Sequence, residues 1–274
     1  MDAWVKERSR VLVMGVLNVT PDSFYDGGRY CNVASAVEHA LLMDEEGADI
    51  VDVGGASSRP GSKGIGIDEE LERVMPVMEG IRCRSDVLLS IDTTSAPVAK
   101  EALSCGATMV NDISALRFDP HMPEVIAEGG AFVVLMHMLG TPEDMQLNPV
   151  YTDVVQEIRV FLAQRIDAAE REGISKERII IDPGIGFGKT LSHNLAIIRD
   201  MSSFVDLGVP LLIGVSRKSF LGKILDLPTE DRLEGTIAAN AVAVFNGADI
   251  LRVHDVKEGR RTANVASRLR NHAA

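Results

Sequence analysis

The sequence predicts a closed (β/α)8 barrel of the TIM type, one α/β domain over residues 1–274, and three observations predict it. Eight short aliphatic runs recur along the chain, amphipathic segments of helix length separate them, and nearly every run ends on a polar or charged residue. Two small domains would fit the length, but α/β barrels reach it as one unit and no linker interrupts the alternation. With 46% hydrophobic and only 4% aromatic residues, the core is aliphatic and amply large.

The strand-like runs are Val11–Val19, Ile50–Val53, Val87–Asp92, Met109–Asp112, Phe132–Met136, Ile179–Asp182, Leu211–Gly214 and Ile250–Val253. The sixth organises the rest. Three isoleucines stop at Asp182, and the chain then breaks into Pro183-Gly-Ile-Gly-Phe-Gly-Lys189. Such a run suits a strand covered on both faces, Pro183 cannot continue the ladder, and Gly184, Gly186 and Gly188 let backbone approach a planar guest. A capping Asp with a flexible loop explains this stretch equally well in isolation. The recurrence of the pattern at other strand ends favours a ligand.

Helices are expected at Val33–Glu46, Asp68–Arg82, Ala96–Ser104, Pro123–Glu128, Asp153–Glu172, Ser192–Ser202, Arg232–Asn246 and Val256–Asn271. In the clearest, Val154, Val155, Ile158, Leu162, Ile166 and Ala169 fall on one face. Thr152 is the expected cap at its start and Gly173 at its end. Gly47-Ala48, Gly106-Ala107 and Gly247-Ala248 each close a helix before the next strand.

A net charge of −12 argues against non-specific binding to a nucleic-acid backbone, so any anion site is local. Cys31, Cys83 and Cys105 are odd in number and lack metal-ligand spacing, which reads as free buried thiols in a reducing compartment. Lys6, Arg8 and Arg10 before an apolar run mimic a secretory signal, but Asp2 and Glu7 dilute the charge and no small-residue cleavage pattern follows. No run is long enough to span a bilayer, so a cytoplasmic protein without membrane partners is expected.

The strand ends are Asn18, Asp52, Asp92, Asn111 with Asp112, His137, Asp182, Ser216-Arg217-Lys218, and Arg252 with His254. In a (β/α)8 barrel these ends meet around one mouth, where the βα loops build the active site. The cations after strands seven and eight point to an anionic group, and Asp92, Asn111 and Asp182 to a heterocycle rich in N–H donors. Asn18–Gly28 and Ala56–Gly66 are long, turn-rich loops after strands one and two, readable as lids or as plain surface connections. Two familiar signatures fail. The first glycine of a P-loop would fall on Pro183, and the third glycine of a dinucleotide fingerprint on Lys189.

Val16-Leu-Asn-Val-Thr-Pro-Asp-Ser-Phe24, Val51-Asp-Val-Gly-Gly55, Ser58-Arg-Pro-Gly61, Asp182-Pro-Gly-Ile-Gly-Phe-Gly-Lys189, Ser216-Arg-Lys218 and Arg252-Val-His-Asp255 together resemble the dihydropteroate synthases, over almost the whole chain. The resemblance implies a transferase of folate biosynthesis that joins 4-aminobenzoate to (7,8-dihydropterin-6-yl)methyl diphosphate, with Mg2+ present. It implies pterin binding by Asp92, Asn111, Asp182 and Lys218, and diphosphate binding by Asn18, Ser58, Arg252 and His254, with Asn18 near the metal. It places Arg59, Pro60, Phe187, Ser216 and Arg217 around 4-aminobenzoate, and Asn18, Asp92, Lys218, Arg252 and His254 in catalysis. A homodimer is implied too.

The chain departs from the family's usual pattern at Tyr25, Ala56 and Ser58, where Ser, an acid and Thr are common. Ser58 keeps a hydroxyl. Two other readings compete. A methyltransferase passing a methyl group from a methylated tetrahydropterin to a corrinoid protein would share the acids and amide but needs no diphosphate site. A non-catalytic pterin-binding paralogue would keep the barrel alone.

Overall fold

A computed structural model describes residues 10–20, 29–57, 61, 62 and 64–271 of the chain. The eight parallel strands are β1 (Leu12–Asn18), β2 (Ile50–Gly54), β3 (Leu88–Asp92), β4 (Met109–Asp112), β5 (Phe132–Met136), β6 (Ile179–Asp182), β7 (Leu212–Ile213) and β8 (Ile250–Val253). They hydrogen-bond in the order β6-β5-β4-β3-β2-β1-β8-β7. A bridge between Ile181 and Leu211, with Ile181 N donating to Pro210 O at 3.0 Å, joins the two ends and closes the barrel. β7 is shorter than expected, because Leu211 contributes only to that bridge and Gly214 begins the turn to the mouth.

Helices pack outside: α1 (Arg29–Glu45), α2 (Ile67–Arg82), α3 (Ala96–Ser104), α4 (Met122–Gly129), α5 (Val154–Arg171), α6 (Leu191–Arg199), α7 (Ser202–Val205), α8 (Ser219–Leu225), α9 (Leu233–Phe245) and α10 (Val256–Asn271). The expected helix over 192–202 is two pieces, and α8 was not foreseen. The six apolar positions expected to line α5 are all buried. Its cap, however, is Asp153 and not Thr152: the Asp153 carboxylate accepts from Val155 N and Gln156 N, while Glu157 Oε1 takes the N–H groups of Thr152 and Asp153. A carboxylate one residue nearer the first turn outcompetes the hydroxyl for those donors. Among the described residues, no helix is long and apolar enough to cross a membrane. Cys83 is exposed and Cys105 half-buried, both just past helix ends, so the expectation of buried thiols fails for these two.

The side-chain period of two sorts the strands into layers. Odd-facing residues such as Val13, Val51, Val53, Leu89, Val133 and Ile181 pack against the helices. Residues of the other face, Leu12, Met14, Ile50, Met109, Phe132, Val134, Ile180, Leu212 and Ile250, make a separate apolar plug within the barrel. The plug fills the end where the strands begin. Below it Asp49 accepts from Val13 N at 2.8 Å and from the guanidinium groups of Arg10 and Arg260, and Arg260 also donates to the carbonyls of Val11 and Gly47.

Candidate active site

Two residues beyond four of the plug positions, the same inward face turns polar. On β2 Ile50 is followed by Asp52, on β4 Met109 by Asn111, on β6 Ile180 by Asp182 and on β8 Ile250 by Arg252, so one period-two step carries these four strands from packing to chemistry. Register then sets neighbours. Asn18 pairs with Gly54, Gly54 with Asp92, and Asp92 with Asn111, forming one row across four strands. Gly54 opens a notch in that row; a Cβ there would stand 3.4 Å from Asp92 Cβ.

Arg252 joins the far sides of the mouth. Its Nε donates to Asp52 Oδ2 and its Nη2 to Asp92 Oδ2, both at 2.7 Å, and Asp52 Oδ2 also accepts from Asn111 Nδ2 at 2.9 Å. Burial opposes the guanidinium charge, but Asp52 and Asp92 outweigh it and keep Arg252 protonated. Asp92 is pushed up to about 7, by desolvation first, against the pull of Arg252 and with the like charges of Asp52, Glu70 and Asp112 adding to the rise. Asp182 is also raised by desolvation, with Lys218 and the N–H of Gly184, 2.7 Å away, working the other way. Lys218 is lowered to about 8 by desolvation, offset in part by Asp182. Of the expected acids, amide and cations, Asp92, Asn111, Asp182, Lys218 and Arg252 thus converge.

Lys218 is set by the glycine loop. Its ammonium donates to Ile185 O and lies 4.6 Å from the Phe187 ring centroid. Ser216 is buried, and its hydroxyl lies 3.0 Å from His254 Nδ1 and 3.2 Å from His254 N. His254 itself is exposed at the rim and is lowered to about 4, first by desolvation and then by Arg252. Arg217 forms a two-bond pair with Asp255 at 2.7 and 2.8 Å, and its backbone sits at φ 55, a left-handed position unusual for arginine. Ser58, Arg59, Pro60 and Tyr25 lie outside the described residues.

Some expectations are corrected. Asp112 and His137 follow strands as the others do, but each is one residue out of step and faces away from the mouth. Asp112 accepts from Ser114 N and Leu116 N, and His137 packs edge-on against Phe161 at 4.8 Å. Nor do the loop glycines chiefly make way for a guest. Gly184, at φ 70, would place a Cβ 1.9 Å from His137 O, so the chain's own backbone demands glycine there.

In the sequence Lys189 stands out only as part of a failed signature. It is a buried lysine whose Nζ lies 3.0 Å from His137 Nδ1 and 2.9 Å from Phe187 O, pinning the glycine loop to the end of β5. Glu70 was missed as well. It is buried on α2, hydrogen-bonded to Thr93, and raised by desolvation. Asp52 was noted as a strand end without a role, although counting two residues on from Ile50 would have placed it inside the mouth.

The profile of the pterin binding enzyme family matches residues 14–254. The chain is 46% identical over 261 residues to the dihydropteroate synthase of Synechocystis sp., covering 95% of this chain and 90% of that protein. A Yersinia pestis dihydropteroate synthase in complex with a sulfonamide drug superposes with a TM-score of 0.91 at 42% identity, covering 97% of this chain and 96% of that one. A Xanthomonas albilineans dihydropteroate synthase with 4-aminobenzoic acid superposes with a TM-score of 0.90 at 43% identity, covering 96% and 94%.

Proposed function

We propose how this chain works from one premise: it belongs to the pterin-binding enzyme family, among the dihydropteroate synthases. It is a transferase of folate biosynthesis that condenses (7,8-dihydropterin-6-yl)methyl diphosphate with 4-aminobenzoate. The relatives it matches leave no reason to retain the corrinoid methyltransferase reading.

The observation that carries our assignment of residues is Arg252 held between Asp52 and Asp92, electrostatically coupled to Asp182 and Lys218. In this reading the pterin rests on Asp92, Asn111, Asp182 and Lys218, whose carboxylates and amide meet ring N–H donors while the ammonium meets a ring acceptor. The diphosphate rests on Asn18, Ser58, Arg252 and His254. The 4-aminobenzoate rests among Arg59, Pro60, Phe187, Ser216 and Arg217.

The reaction breaks the C–O bond between the pterin methylene and diphosphate, forms a C–N bond from that carbon to the amine, and releases one amine proton. An aromatic amine is a weak nucleophile because its lone pair is shared with the ring, so the rate depends on helping diphosphate leave. Arg252, kept charged by two carboxylates, would stabilise the charge that grows on the bridging oxygen. Lys218 would add a second charge, and His254, neutral near pH 7, a hydrogen bond. Asp92 and Asp182 hold the ring so that its electrons can support a positive methylene.

When bound, Mg2+ would supply further charge against the diphosphate. Among the described residues no group of three His, Cys, Asp or Glu could hold a metal ion, whereas Asn18 stands half-buried at the mouth. One amide oxygen fits an ion that takes most of its ligands from phosphate and water.

We place the protein in the cytoplasm, in keeping with the free thiols of Cys83 and Cys105. We take residues 1–274 as one domain and the working form as a homodimer. An apolar groove of about 520 Å3 between α9 and α10, lined in part by Val242, Phe245, Val265 and Leu269, supports a second copy as its cover. Sedimentation of Phe245→Glu should show a monomer; an unshifted assembly would move the interface elsewhere.

Incubation with the pterin diphosphate, 4-aminobenzoate and Mg2+ should release diphosphate and form 7,8-dihydropteroate. Pterin binding without turnover would make the chain a non-catalytic binder.

A further inference from the structure

In the assignment above Asp52 only holds Arg252, and its geometry gives it a further part. It is fully buried on β2, between the apolar plug and the notch at Gly54. One oxygen, Oδ2, accepts from both Asn111 and Arg252, while Oδ1 is buried without a hydrogen-bond partner. A carboxylate kept only to brace the fold would have both oxygens met, because a buried lone pair left unmet costs stability. This one is spent on direction.

Arg252 Nε can only donate, so the Asp52 oxygen it meets is an acceptor, and the same oxygen takes Asn111 Nδ2 at 2.9 Å. Asn111 therefore turns its NH2 inward and leaves its carbonyl oxygen for the mouth. The same oxygen takes Arg252 by Nε and so swings Nη2 onto Asp92, 2.7 Å away. We propose that Asp52 is a positioning residue that sets the acceptor pattern of the pterin site, presenting Asn111 as an acceptor beside Asp92 and Asp182 and aiming Arg252. The pocket then selects a heterocycle with N–H donors along that edge. This inference rests on the pterin reading above.

Asp52→Asn tests it, since an amide can donate as well as accept and Asn111 is then free to turn. The expected result is pterin diphosphate binding weakened about tenfold or more by calorimetry, with the KM for 4-aminobenzoate held within about twofold. The acid limb of kcat/KM should also move to lower pH. Asp92 loses the like charge of Asp52 but keeps Arg252, with Glu70 and Asp112 as the other carboxylates whose charge reaches it. A role in stability alone would lower the melting temperature and leave both readouts in place, and that result overturns the proposal.

Should the variant fail to fold, the wild type still decides. NMR of the Asn111 side-chain amide should show NH2 protons shielded from exchange before and after pterin is added. Protons that exchange freely, or that become shielded only with pterin, refute it. A wild type that binds no pterin refutes instead the reading underneath, and this inference with it.

Discussion

Both ends of the barrel hold arginine against aspartate, yet they do so in different ways. At the closed end Asp49 is met by Val13 N, Arg10 and Arg260, and Arg260 reaches on to the carbonyls of Val11 and Gly47. The charges there are tied to main chain and stitch β1, β2 and α10 together. At the open end Arg252 is tied only to side chains, Asp52 and Asp92, and around them Asp52 Oδ1, Ser90 Oγ and Glu70 Oε1 are buried without partners. Charge anchored to backbone stabilises the fold. Charge held by other charge, with acceptors left over, stays available to a ligand.

The strongest way to break this contrast is Arg252→Met. It strips the only cation bonded to Asp52 and Asp92 among the described residues, so stability should fall by about 3–5 kcal/mol in urea unfolding. kcat/KM should drop at least about 100-fold. A variant that kept its activity would show that the arginine is a brace like Arg260.

Asp182→Asn comes next. Replacing a buried acceptor by an amide should cost about 1–3 kcal/mol of pterin binding, measured by calorimetry, with little change in melting temperature. Unaltered affinity would remove Asp182 from the ligand.

The pH profile sharpens the comparison without a mutation. With Asp92 raised to about 7 and Lys218 lowered to about 8, kcat/KM should rise through the first value as the carboxyl ionises and fall through the second as the ammonium is lost. The acid limb belongs to Asp92 together with its coupled neighbours. The effect on stability runs the other way. A carboxyl whose pKa is higher in the folded state than in the unfolded chain stabilises the fold fully below the unfolded value, near 3.9, and that contribution fades as pH rises through about 7. The mouth gains activity where it weakens the fold, and a flat profile between pH 6 and 9, by rough choice of window, would sever Asp92 and Lys218 from the chemistry.

The smallest effect belongs to the closed end. Asp49→Asn should lower stability by about 1–2 kcal/mol and leave kcat/KM unchanged. Lost activity there would dissolve the distinction between the two rims.

Much of this is legible in the sequence alone. The strands β4, β5, β6 and β8 end where the sequence places them, because their aliphatic runs are bounded by glycine or charge. The convergence of Asp92, Asn111, Asp182, Lys218 and Arg252 was legible too, since a barrel brings strand ends together. Facing was harder. A residue one step past an inward position points out, so Asp112 and His137 looked like Asn111 and Asp182 until the alternation was counted from the plug. Lys189 and Glu70 could not be read at all, because their partners, His137 and Thr93, are distant in sequence and meet them only through packing.

The single bridge between Ile181 and Leu211 bears on how wide the site opens. Asp182 is gripped by the sheet, its carbonyl bonded to His137 N, whereas Lys218 lies beyond the short β7 in a turn whose ammonium hangs on Ile185 O. One jaw of the vice is thus cast into the frame, and the other is a screw whose thread is the glycine loop, so the gap between them is gauged by that loop and hardly by the staves.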